Sequence, residues 1–200
     1  MSPTSTEPRN PSGPVFQSST LDFCVKIKSM DEVAEILFTE EQISSRVRDL
    51  ALQIQADYKD RRLVLVSILR GSVFFATDLA RHINLPLAMD FLSISSYGED
   101  SEGVVRITKD LEENIAGKDV LVIEDIVDTG FTLKYLLRTL GGRNPKSLEV
   151  CTLLDRRARR IIEIDLKYVG FEIPDKFVVG YGLDFRQRYR NLPYIGVVKP

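Results

Sequence analysis

The sequence predicts an α/β fold, a doubly wound and mainly parallel sheet flanked by helices. Three observations carry that expectation. The runs at 63–69 (LVLVSIL), 119–124 and 148–154 are continuously apolar rather than alternating, as strands covered on both faces must be. Segments with apolar residues at helical spacing lie between them, so strand and helix alternate as βαβ units do. Two hundred residues with 44% hydrophobic content suffice for one domain with a substantial core, with room for a small added lobe.

Each element has its own local reason. The first twenty residues, MSPTSTEPRNPSGPVFQSST, hold four prolines among Ser and Thr and read as a disordered arm, leaving 21–200 as the single domain. Thr39-Glu-Glu-Gln42 fits a capping box, and Ile43, Val47, Leu50 and Ile54 follow on one helical face. After the strand at 63–69, Ser72 is placed to cap a helix carrying Phe75, Leu79 and Ile83. A second strand is expected at 87–94. The polar segment 95–117, with a short VVRIT strand inside it, has the length of a lid loop. A third strand runs over 119–124. The helix after Gly130 buries Leu133, Leu136, Leu137 and Leu140 and stops at Gly141-Gly142. A fourth strand at 148–154 precedes a segment, 156–174, expected to join a smaller lobe. Short strands at 177–179 and 194–198 close the chain, and no internal repeat is present.

The totals exclude several function classes. A net charge of −2 and a pI near 5.6 argue against electrostatic nucleic-acid binding. Cys24 and Cys151 are far apart and form no CxxC pair, so no disulfide framework is implied. His82 is the single histidine, which excludes His-based zinc sites and Ser-His-Asp triads. No apolar run reaches membrane-spanning length, and the N-terminal stretch lacks the apolar core of a signal peptide. The expectation is a cytoplasmic protein; continuation past Pro200 with an organelle address would make a glycosome-like compartment the alternative.

The chemistry concentrates in VLVIEDIVDTGFTLKYLL, residues 120–137. Glu124, Asp125 and Asp128 fall within five positions where a buried strand ends, and carboxylates are costly to bury unpaired. In open α/β sheets that end of the strand is where ligands bind. The turn Asp128-Thr-Gly-Phe-Thr132 leads into a helix N-terminus, whose free N–H groups and two Thr hydroxyls suit a phosphate. Acids beside a phosphate cradle fit a ligand with vicinal hydroxyls and phosphate, a sugar phosphate, or hold Mg²⁺. A capped helix with Asp128 or Thr129 as N-cap explains one acid but not three. The Asp-Thr-Gly triplet of aspartic proteases occurs once here and is followed by a helix, and neither GxxxxGK[ST] nor GxGxxG is present.

At these residues the chain resembles the type I phosphoribosyltransferases. VLVIEDIVDTGFT looks like their phosphoribosyl-pyrophosphate (PRPP) signature. FEIPDKFVVGYGLDFRQRYRNLPYIG, residues 171–196, is similar to the purine-binding end of the hypoxanthine-guanine members. LRGS at 69–72 and SSYG at 95–98 match two further motifs in the right order, so the resemblance covers about 33–198. It implies the type I fold, with a mobile loop at about 95–117 and a small purine-binding hood mainly over 156–200. The implied activity is Mg²⁺-dependent transfer from PRPP to hypoxanthine or guanine, giving IMP or GMP and pyrophosphate. A PRPP-sensing regulator on the same fold, or a transferase preferring xanthine, are the alternatives.

Residue by residue, the resemblance assigns Leu69, Arg70 and Gly71 to pyrophosphate, with a cis peptide between Leu69 and Arg70. Ser96 and Tyr97 would sit in the closing loop. Glu124 and Asp125 would hold the ribose hydroxyls or Mg²⁺, and Asp184 would be the third metal-site acid, acting largely through water. Asp128 would stand beside purine N7 as the proton-transfer group. Thr129, Gly130 and Thr132 would hold the 5′-phosphate, with Ile126, Val127 and Phe131 completing that substrate-binding stretch. Phe177 would stack on the purine, with Lys176, Val178 and Leu183 around the base and Arg190 neutralising pyrophosphate. Without the resemblance, alternation makes Phe177 an ordinary core aromatic. The family places a Lys that reads the 6-oxo group where this chain has Arg156, which keeps a donor and changes its reach. The run Arg156-Arg-Ala-Arg-Arg160 otherwise reads as a solvated face or the rim of an anion site. A homo-oligomer, dimer or tetramer, is implied, with no nucleic-acid or membrane partner.

Overall fold

Six strands form the main sheet, and their apolar alternation divides the core in two. β2 (Leu63–Leu69), β5 (Asp119–Val127) and β6 (Ser147–Asp155) send Leu63, Leu65, Leu121, Ile123, Cys151 and Leu153 to one face. There they meet α1 (Glu40–Asp57) and α2 (Val73–His82). Val64, Val66, Val120, Val122 and Val150 point to the other face and meet α3 (Phe131–Gly141). Side chains alternate with a period of two, so one continuous apolar run serves both layers. The computed structural model describes residues 33–97 and 104–199, with the side chains of Ser96, Tyr97, Val104 and Val105 also outside its description. The arm expected at 1–20, Cys24 and the tip of the expected lid lie outside the described residues.

The order across the sheet is β4-β3-β2-β5-β6-β7, with β3 (Leu87–Tyr97) and β7 (Tyr168–Glu172) parallel to the central strands. β4 (Val104–Lys109), the expected VVRIT strand, runs antiparallel on the outer edge of β3, so the returning half of the lid segment is a hairpin arm. Asp90 fixes its base by accepting the backbone N–H groups of Glu112 and Glu113, each at 2.8 Å. A second sheet of three antiparallel strands joins β1 (Val33–Phe38), β9 (Ile195–Val198) and β8 (Val178–Val179).

The capping box at Thr39 is present in both directions, 3.3 Å from Gln42 N–H to Thr39 Oγ1 and 2.9 Å from Thr39 N–H to Gln42 Oε1. Ser72 precedes α2 as expected but its hydroxyl does not cap it; it donates to the Ile68 carbonyl at 2.6 Å and pairs with Ser67 Oγ at 2.7 Å. That pair ties the end of β2 to the helix that follows. β1 was not expected from the sequence. Nor was β7, which carries residues 168–172 of the segment assigned to the smaller lobe onto the edge of the main sheet.

Candidate functional site

The chain leaves β2 toward β3 on one side of the sheet and leaves β5 toward β6 on the other. The carboxyl ends of β2 and β5 therefore flank the point of reversal, where such sheets open a crevice. A cavity of about 350 Å³ lies there. It brings together Leu69, Arg70 and Gly71 from β2, Glu124 through Gly130 and Thr132 from β5 and its turn, and Asp184 and Arg190 from the C-terminal segment. Leu69–Arg70 is a cis peptide, as the resemblance implied. At Gly71 the backbone passes so close to β5 that a Cβ would collide with the Asp125 carboxylate.

β5 runs on to Val127, so Glu124 and Asp125 sit inside the strand rather than beyond its end. Glu124 is buried, and burial, reinforced by the Asp125 charge, pushes its carboxyl well above the ordinary range. Burial also pushes Asp125 up, to about 6, against the opposing pull of the Ile126 N–H at 2.9 Å and of Arg190. Arg190 is committed elsewhere: it pairs with Asp184 Oδ1 at 2.6 Å and donates to the Gly182 carbonyl at 2.6 Å. Among the described residues no three Asp, Glu, His or Cys side chains close into a group able to hold a metal alone. Glu124, Asp125 and Asp184 line one cavity as separate carboxylates. Such a set suits Mg²⁺, which keeps water and substrate phosphates in its shell and takes only one or two protein carboxylates.

The turn after β5 enters α3 through Gly130 in the left-handed region, φ +91°, where a Cβ would stand 2.6 Å from the Ile162 carbonyl. No described protein acceptor meets the backbone N–H groups of residues 129–132. Asp128 Oδ2 lies 3.4 Å from Arg156 Nη1 and 3.6 Å from Arg159 Nη1, while its Oδ1 is buried without a hydrogen-bond partner. Arg156 is buried, not solvated, and its second nitrogen donates to the Lys176 carbonyl at 2.7 Å. One guanidinium thus spans from the acid of the turn to the segment just before β8 (Val178–Val179), where the expected base-binding residues Lys176 and Phe177 lie. Arg160 is also turned inward, with its side chain 5% exposed and paired with Asp155. The run 156–160 is therefore neither a uniform solvated face nor a simple rim, and sequence spacing gave no sign of which arginines would turn in.

Phe177 is 52% exposed, which removes the core reading. Its ring meets Phe185 edge-on, centroids 5.7 Å apart and planes at 77°, in a mainly apolar hollow of about 590 Å³ shared with Lys176 and Val197. Lys176 reaches Glu35 of β1 at 2.8 Å. Val178 and Leu183 are buried, and Phe131 is an exposed first-turn residue of α3. Gln187, which the sequence did not single out, accepts from Arg70 at 3.0 Å and joins the β2 turn to the C-terminal loop.

The Phosphoribosyl transferase domain matches the chain over residues 33–186. A hypoxanthine-guanine phosphoribosyltransferase of Dictyostelium discoideum is 52% identical over 171 residues, 82% of this chain and 95% of that protein. One of Mycobacterium avium is 49% identical over 177 residues, 84% and 87% of the two chains. A solved hypoxanthine phosphoribosyltransferase from Staphylococcus aureus aligns with a TM-score of 0.82 at 50% identity, over 84% of this chain and 93% of that one. A hypoxanthine-guanine phosphoribosyltransferase structure from Bacillus anthracis gives 0.81 at 44%, over 84% and 99%.

The raised Asp125 carboxyl makes a pH prediction for the protein in buffer without divalent ions. Its folded value of about 6 lies above the ordinary 3.8, so the stability it lends as a neutral acid is complete below about 3.8. That contribution is lost as pH rises through about 6, where a charge must be held at a partly buried position beside Glu124. Asp125→Asn is expected to raise the melting temperature by a few degrees at pH 7.5 and by clearly less at pH 5. Equal melting temperatures at both pH values would show that Asp125 carries no such cost.

Proposed function

The chain belongs to the phosphoribosyltransferase family, in its hypoxanthine-guanine branch, and on that premise we propose that it joins hypoxanthine or guanine to PRPP. The products are IMP or GMP and pyrophosphate, a purine-salvage reaction. One observation carries this reading: the cavity at the ends of β2 and β5 unites four acids, two arginines and a turn whose N–H groups meet no acceptor among the described residues, and Arg156 links it to the Lys176 carbonyl, next to the exposed Phe177 ring.

In the reaction a purine ring nitrogen forms its bond to ribose C1 as the C1–oxygen bond to pyrophosphate breaks, with inversion and with positive charge on the ribose. Glu124 and Asp125 would accept the ribose hydroxyls on the floor of the cavity. Thr129, Gly130 and Thr132 would hold the 5′-phosphate on N–H groups and hydroxyls. The backbone of Leu69 and Gly71, with Arg70 and Arg190, would face the pyrophosphate as it leaves. Glu124, Asp125 and Asp184 would hold Mg²⁺ beside the bound substrate, and the ion would supply neutralisation of that leaving charge. Asp128 would take the N7 proton, its carboxylate oriented by Arg156 and Arg159. The base would lie against Phe177, with Lys176, Val178 and Leu183 around its edge. The hairpin of β3 and β4, with Ser96 and Tyr97 near its tip, would close over the substrates and exclude water. Arg156 in place of Lys favours one second reading, a different ranking among hypoxanthine, guanine and xanthine. A dimer or tetramer in the cytoplasm completes the proposal; no helix among the described residues is long and apolar enough to cross a membrane.

Pyrophosphate release with PRPP and either base is expected to vanish in EDTA and return with Mg²⁺; turnover without any divalent ion would sink this mechanism. Phe177→Ala is expected to weaken base binding by about 1–3 kcal/mol and leave PRPP affinity near that of the parent. An equal fall in both affinities would return Phe177 to a structural role. Asp128→Asn keeps the size of the side chain and removes its proton-accepting power, worth roughly 10²–10⁴-fold in rate. Steady-state rates paired with titration calorimetry should show kcat lowered by about that factor with PRPP binding unchanged or tighter, since a charge beside the anion has been removed. A variant turning over at the parent rate would leave Asp128 only its ion pairs with Arg156 and Arg159, since Gly130 and not Asp128 is the N-cap of α3.

A further inference from the structure

A turn that presents successive N–H groups to an anion sends its carbonyls the other way, and those carbonyls need donors of their own. In this protein the donors come from residues 156–162. The Val127 carbonyl accepts the Arg156 N–H at 3.0 Å, and the Thr129 carbonyl accepts the N–H groups of Ile161 and Ile162 at 3.0 and 2.9 Å. Arg160 completes the set: its Nε donates to the Asp128 carbonyl at 2.9 Å, and its Nη2 reaches the Val127 carbonyl at 3.5 Å. The same Nη2 is paired with Asp155 at the end of β6, and the two side chains are 5% and 11% exposed.

We infer that Arg160, fixed by Asp155, is a positioning residue that holds the 127–130 turn with its N–H groups facing the 5′-phosphate of PRPP. Three features of the pair support this. The guanidinium fork serves two carbonyls and one carboxylate from separate nitrogens held in one plane, a reach that the single nitrogen of an ammonium lacks. Asp155 belongs to the strand next to β5, so the fork is anchored to the sheet rather than to the turn it holds. The positive charge lies behind the turn, on the side away from the cavity, and Asp155 keeps it from standing unpaired in a buried place. Arg160 touches no reacting atom in this account and acts through the backbone of Val127 and Asp128. The inference rests on the reading of that turn as the 5′-phosphate site.

The test is titration calorimetry with two probes, ribose 5-phosphate and pyrophosphate with Mg²⁺, on the parent, Arg160→Lys, Asp155→Asn and Arg157→Gln, with melting temperatures alongside. Arg157 is the exposed neighbour in the same basic run and serves as the control. Arg160→Lys is expected to weaken ribose 5-phosphate binding by about 10- to 100-fold, the scale for losing a charged hydrogen-bond donor, and to leave pyrophosphate binding within about twofold. Asp155→Asn leaves the guanidinium in place without its anchor and should show the same split, smaller in size, which keeps the test open if Arg160→Lys does not fold. Arg157→Gln should match the parent for both probes. A parent that binds neither probe overturns the functional reading and this inference with it. A parent that binds both, beside folded Arg160 and Asp155 variants of lower melting temperature and unchanged ribose 5-phosphate affinity, overturns this inference alone.

Discussion

Two adjacent carboxylates inside the central strand set the terms for everything around them. β5 is covered by β2 and β6 on its sides and by helices on both faces, so Glu124 and Asp125 meet solvent only through the cavity. Their cost is visible in the upward shift of both groups. The six charged residues lining the cavity are four acids and two arginines, Arg70 and Arg190. Arg190 is engaged by Asp184, and Asp128 is answered from outside by Arg156 and Arg159, so Glu124 and Asp125 keep no dedicated cation among the described residues. A multiply charged phosphate ester approaching such a floor would be repelled if it came alone. It is accepted if it brings divalent cations, and the carboxylates then become favourable. For the proposed reaction, a metal requirement would follow from the charge balance of the cavity, and the same balance would give affinity for a metal-bound ligand over the free one.

The sheet supplies what a site of this kind needs. Because the chain reverses direction between β2 and β5, two turns converge without a helix between them. One turn comes so near that only glycine fits, at Gly71 against Asp125. The other must show N–H groups to the cavity and therefore depends on donors behind it. The Phe177–Phe185 pair flanks β8 of the smaller sheet, and Arg156 links the Lys176 carbonyl beside it to Asp128 of the turn. These parts come from positions spread along the chain from β1 to β9, which is why the geometry survives only if the sheet register does.

Much of this was legible in the sequence, for identifiable reasons. Continuous apolar runs marked β2, β5 and β6, and the capping box marked the start of α1, because burial on both faces and satisfaction of helix ends leave strict local patterns. The sequence pattern ends β5 at Glu124 because two acids interrupt its apolar run, although Ile126 and Val127 continue it; acids inside a strand break the pattern that defines it. β1 and β7 leave no such pattern because they are short edge strands with exposed residues, and edges do not need continuous apolar faces. The β7 edge is covered by Arg46 of α1, which donates to the Val169 and Gly170 carbonyls at 2.6 and 2.8 Å. That bond spans more than 120 positions, and nothing local announces it.

The basic run at 156–160 shows where reading by composition stops. Four arginines in five residues look alike in sequence and invite a single role. The fold divides them by what lies within reach: Arg156 and Arg160 turn inward to carbonyls and carboxylates, while Arg157 and Arg159 turn outward. Even Arg159 is partly engaged, 3.6 Å from Asp128 and 3.9 Å from Asp175. The positive charge the run offers to a partner is therefore much smaller than its composition suggests. The guanidinium is suited to the inward role because it stays charged, binds several acceptors in one plane and tolerates partial burial better than an ammonium. A cluster of arginines beside a turn with outward-facing N–H groups is thus better read as the backing of an anion site than as a second one. The distinguishing feature is the set of carbonyls, which a sequence shows only once the turn itself has been recognised.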